Sequence, residues 1–156
     1  MRARCRCGRP PRRRTDLFTP SRDEARRFLI DAWRKYRAGE PLSALEQTAA
    51  QLIAMHPEYH PVLETPDAHI DRDYRPEQGD VNPFLHLSLH LAVAEQLAID
   101  QPPGIAAHYA RLRDARGDVH EALHAVVECL GEVIWQAQRS GAGPDAAAYL
   151  ACLERQ

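Results

Sequence analysis

Asn82-Pro83-Phe84-Leu85-His86-Leu87-Ser88-Leu89-His90-Leu91-Ala92-Val93-Ala94-Glu95-Gln96-Leu97-Ala98-Ile99 is the stretch whose reading decides the fold. Asn82 is a good helix cap, because its side chain can accept from backbone N–H groups that have no partner inside the helix. Pro83 suits the first turn, where its missing N–H costs nothing. From Phe84 to Ile99 apolar residues then cover nearly every side of the helix. A helix of that kind is expected at the centre of a helical domain. It is not a membrane span, since His86, Ser88, His90, Glu95 and Gln96 interrupt it and a span needs roughly 18 consecutive apolar residues.

The flanking segments read as amphipathic helices. Ser21-Arg22-Asp23-Glu24 is a capping box. Ala25, Phe28, Leu29, Ala32, Trp33 and Tyr36 follow at helical spacing, and Gly39 ends the run. Arg26, Arg27, Arg34 and Arg37 occupy the other side and are expected to be solvated. Pro41 is placed to open a second helix with a stripe of Leu42, Leu45, Ala49, Leu52 and Ile53. His56 lies in line with that stripe, and Pro57 interrupts it. A short turn is expected through Glu58-Tyr59-His60, with another from Pro61, and then a polar loop over residues 65–82.

Beyond the Asp100-Gln101-Pro102-Pro103-Gly104 turn, Ile105, Tyr109 and Leu112 mark a shorter helix ending at Gly117. Asp118 caps a long helix whose stripe is Val119, Leu123, Val126, Leu130, Val133, Ile134 and Ala137. Pro144 is placed to open a last helix carrying Ala147, Leu150 and Leu153. No segment alternates as a strand does. The expected fold is all-α, a compact helical bundle of about five to six helices.

Charge divides the chain. Residues 1–14 hold seven Arg and no acid, and the remainder carries a net charge of −9. Residues 1–15 are expected to be a disordered Arg-rich N-terminal extension, from a start placed too early, and 16–156 a single helical domain. An acidic folded part argues against a duplex-binding surface. Cys5, Cys7, Cys129 and Cys152 show neither the framework of a disulfide scaffold nor Cys-x-x-Cys knuckles. All four are expected to be reduced thiols in a cytoplasmic protein.

Six of the eight His form three pairs at spacing four: His56/His60, His86/His90 and His120/His124. On a helix, residues at that spacing stand one above the other. Two such imidazoles can chelate one ion, with each nitrogen about 2.0–2.1 Å from it. His86, His90, His120 and His124 are the leading metal ligands, and His56 and His60 are additional ones. Glu128 follows His124 by four and is the carboxylate candidate. Iron and zinc both suit imidazole-rich sites.

Each pair has a competing structural reading. A buried imidazole needs a hydrogen-bond partner, and a carbonyl or carboxylate serves as well as a metal. Pro57 breaks the helix between His56 and His60. The His120/His124 row flanks the apolar stripe of its helix and continues to Gly131 and Trp135, as a protein interface would. The rival function is therefore a non-catalytic helical module that binds itself or a protein partner. Geometry separates the two: imidazole nitrogens of His86, His90, His120 and His124 converging within about 5 Å of one point favour a metal, and nitrogens scattered to separate carbonyls favour packing.

Several segments together resemble a known family. They are Phe18-Thr19-Pro20-Ser21-Arg22, Asp31-Ala32-Trp33, His56-Pro57-Glu58-Tyr59-His60, Asn82-Pro83-Phe84-Leu85-His86, Glu95-Gln96 and Asp100-Gln101-Pro102-Pro103-Gly104. The pattern is similar to an uncharacterised bacterial family, domain of unknown function 1841, over residues 16–156. The resemblance implies a start near Leu17-Phe18 and no particular activity. A looser similarity of spacing links His86/His90 and His124/Glu128 to the ligand motifs of hemerythrins, whose ligand order and full ligand set are absent here.

Overall fold

The computed structural model describes residues 21–75 and 78–156. The Arg-rich segment with Cys5 and Cys7, and the expected disorder of residues 1–15, lie outside them. The described residues form eight α-helices and one 3-10 turn, with no strand among them. These are α1 (Arg22–Ala38), α2 (Ala44–Ala54), the 3-10 turn Pro57–Tyr59, α3 (His60–Glu64), α4 (Pro66–His69), α5 (Pro83–Ile99), α6 (Ile105–Arg116), α7 (Val119–Ser140) and α8 (Ala146–Arg155). Six are long, and the two beyond the expected number are the single-turn helices α3 and α4. Each of these has a proline at its start, which presets the helical φ even in a polar stretch. None of the described helices is long and apolar enough to cross a membrane.

The caps follow the sequence closely, with two shifts. Ser21 and Glu24 form the capping box of α1, Asn82 caps α5 through Leu85 N–H, and Asp118 caps α7 through Glu121 N–H. The helix α2 begins at Ala44, three residues later than the proline suggests, because Ser43 and Glu46 make a second capping box. Similarly, Asp145 rather than Pro144 initiates α8 by accepting from Ala147 and Ala148 N–H. Gly117 ends α6 at φ +69°, a left-handed turn that costs glycine little.

Two apolar cores share α5. One gathers Leu29, Ala32, Trp33, Ala49, Ile53, Leu63, Phe84 and Leu87 from α1, α2, α3 and α5. The other surrounds α7 and takes in Val93, Ile105, Leu112, Val126, Leu130, Val133, Tyr149 and Leu153. Leu87 and Val93 are almost wholly buried. Each such side chain removed from water contributes about 1.5–3 kcal/mol. The central placement of α5 thus follows from its all-round apolarity. Val119, read as part of the α7 stripe, is half exposed at the first turn.

Two expectations are corrected. Arg26 is only 2% exposed. Its guanidinium donates to the carbonyls of His69, Ile70 and Arg72 at 3.3, 2.6 and 2.9 Å and lies 5.0 Å from the Phe84 ring. It satisfies the open carbonyl end of α4 and pins the following segment to α1. Cys129 and Cys152 are not free thiols, being joined in a disulfide between α7 and α8. Their 23-residue separation carries no local signal. Only the packing of α7 on α8 brings their Cα atoms to 5.7 Å, within bonding reach.

Candidate metal centre

The seam between the two cores is lined with imidazoles. His56 stands at the end of α2, His86 and His90 lie one turn apart on α5, and His120 and His124 lie one turn apart on α7. One nitrogen from each of His56, His86, His90 and His124 falls within 4.8 Å of all the others. The Nε2–Nε2 distances are 3.1 Å for His86–His56, 3.1 Å for His90–His86, 3.3 Å for His56–His124 and 3.0 Å for His120–His56. Donors about 2.0–2.1 Å from a tetrahedral ion stand about 3.3–3.4 Å apart, and cis donors of an octahedral ion about 2.9 Å. These four distances fall within that interval.

Hydrogen bonding does not account for this crowding. His56 Nδ1 is 2.8 Å from the Leu52 carbonyl. A carbonyl only accepts, so Nδ1 carries the proton and Nε2 presents a lone pair. That single lone pair faces Nε2 of His86, His120 and His124 together, and it can accept one good hydrogen bond. His90 is fully buried and its Nδ1 has no hydrogen-bond partner among the described residues. A buried polar atom without a partner is unusual and costly. The cluster is thus short of hydrogen-bond partners and rich in lone pairs.

Electrostatics keep those lone pairs free. Burial pushes His86 down to about 4 and His90 to about 3, and neighbouring imidazoles add to the effect. Burial likewise lowers His56 and His124. Neutral imidazole is the form that ligates metals. Tyr59, half-buried, stacks on His56 with ring centres 5.7 Å apart, and its own hydroxyl is raised by burial.

The remaining candidates, His60 and Glu128, lie elsewhere, as do Glu64 and His69. His60 turns away from the cluster: its Nε2 donates to the Ile53 carbonyl at 2.9 Å, and its ring packs 4.3 Å from Trp33. Glu128 is exposed and outside the ligating set. Glu64 pairs with Arg37 and accepts from Trp33 Nε1. His69 contacts the Tyr74 hydroxyl. The Leu52 carbonyl, which sets the His56 tautomer, and Tyr59 were missed, because backbone acceptors and stacking partners leave no mark on periodicity. The His120/His124 row, which flanks its stripe, is half-buried and reaches the seam, because α7 packs along α5.

Residues 21–155 match the family described as domain of unknown function (DUF1841). The chain belongs to that family. No curated protein and no solved structure matches it. Family membership brings no activity with it, so function has to be argued from the centre itself.

Proposed function

We propose that this member of the domain of unknown function 1841 family is a metal-binding protein, with one divalent ion held by His56, His86, His90 and His124. The carrying observation is the His56 lone pair, crowded by three other imidazole nitrogens at 3.0–3.3 Å with its other nitrogen tied to a carbonyl. A cation gives the lone pairs of His56, His86, His90 and His124 one common partner, whereas hydrogen bonds satisfy only part of them. Four imidazoles without a carboxylate or thiolate suit zinc best, since tetrahedral nitrogen sites are its habit. Iron is the second choice, because its open sites commonly include a carboxylate and Glu128 stands outside the cluster.

The Leu52 carbonyl supports the reading, since a ligating histidine usually donates its second N–H to such a group. The rival, a purely structural histidine cluster serving an interaction module, requires separate acceptors for each ring. Among the described residues, only His56 and His60 have their rings within hydrogen-bond distance of a backbone carbonyl. The test is elemental analysis of protein purified without a nickel affinity step. One equivalent of zinc or iron per chain is expected. Protein that is folded, free of metal and unable to take up zinc in a chelator competition overturns the proposal.

A further inference from the structure

Four neutral ligands leave a charge unbalanced. A divalent ion bound only by imidazoles keeps both positive charges, and a charge withdrawn from water is costly unless it is paired. The carboxylates whose charge is felt at the cluster belong to Glu58, which acts on His56 and His86, and to Glu121 and Glu128, which act on His124. All three residues are exposed, and none enters the ligating set. Among the described residues no carboxylate joins the ligands, so the counter-charge is free to come from outside the chain.

Exposure at the cluster is confined to three of its imidazoles. His56 and His90 are fully buried, and His86, His120 and His124 are half-buried. His120 is also the fifth imidazole. Its Nε2 is 3.0 Å from that of His56 and its ring centre 4.2 Å from that of His124, yet it lies outside the mutually close set of four. Four nitrogens complete a tetrahedron, and an ion of this kind can expand to five-coordinate.

We infer that the metal takes a small exchangeable anion, hydroxide or an inorganic anion of similar size, on the side bounded by His86, His120 and His124, with His120 positioning it. In this arrangement His120 is a hydrogen-bond partner of the bound anion and not a metal ligand. The inference rests on the metal-binding reading, and the two fail in different ways.

The probe is azide, added to the full chain loaded with Co(II), whose visible spectrum reports coordination. Wild type is expected to hold one cobalt per chain and to show a saturable spectral change with azide. His120→Ala should retain one cobalt per chain and bind azide about tenfold more weakly, the scale of a lost hydrogen bond to a charged group. His120→Gln keeps a donor and should recover most of the affinity; it also decides the matter if the alanine variant does not fold. Absence of any azide response in cobalt-loaded protein overturns the inference, as does unchanged azide affinity in both variants. Loss of cobalt from both His120 variants makes His120 a fifth ligand and also overturns it. Failure of wild type to bind cobalt instead brings down the metal reading beneath it.

Discussion

His56/His60 and His86/His90 have the same spacing and opposite outcomes. On α5 the helix is unbroken, so His86 and His90 remain on one face with their Nε2 atoms 3.1 Å apart. Between His56 and His60 the chain leaves α2, passes through the Pro57–Tyr59 turn and starts α3. His56 consequently faces the seam, while His60 turns to the Ile53 carbonyl and Trp33. Spacing four implies a shared face only while one helix persists. The proline that weakens His56/His60 as a pair is also what frees His56 to meet the α5 and α7 histidines singly.

The largest expected effect breaks the α5 side of this comparison. Even outer-shell partners of a metal typically contribute 10–100-fold to affinity, so removing a ligand with His90→Ala should weaken zinc binding at least about 100-fold. Competition against a chromophoric chelator measures this, and near-native affinity would remove α5 from the centre.

Acid should act next most strongly, again on the clustered histidines. His86 and His90 titrate at about 4 and 3 when folded, against about 6.5 in an unfolded chain. As pH falls below about 6.5 the unfolded chain takes up these protons and the folded chain does not. Each group then favours unfolding by up to about 1.4 kcal/mol per pH unit until its folded value is reached. Neither contributes above pH 6.5. The urea midpoint of metal-free protein should therefore drop from pH 7 to pH 5, and bound metal should steepen the drop. A flat midpoint would show that the folded cluster accepts protons readily.

His60→Ala tests the other pair. It removes a hydrogen bond and a ring contact with Trp33, so a loss of about 1–3 kcal/mol in chemical denaturation is expected, with full metal content. Loss of metal without loss of stability would erase the distinction between the two pairs. Glu128→Gln should do least. This exposed side chain should change stability by no more than about 0.5 kcal/mol and metal affinity by no more than about twofold. A larger fall in affinity would bring the carboxylate into the centre.

Much of the helical framework was legible because its signals are local. Ser21/Glu24, Asn82, Gly117 and Asp118 act on backbone groups within one turn, so a few adjacent residues suffice to read them. The second capping box, Ser43/Glu46, is equally local and outweighs Pro41 as the start of α2. Arg26 was illegible in a different way. Its position on α1 reads as solvated, and its burial depends on carbonyls more than forty residues away. The disulfide was illegible for the same reason.

The candidate centre divides along that line. The sequence by itself determined an all-helical chain, an apolar α5 and histidines stacked in pairs one turn apart, because helical periodicity is a property of neighbouring residues. The tertiary structure alone decided which histidines meet. Whether His120 and His124 face solvent, a partner or α5 depends on how α7 rolls against its neighbours, and the fate of His56 depends on the angle at which the chain leaves α2. Both are set by packing between segments some thirty to seventy residues apart, where no local pattern reaches.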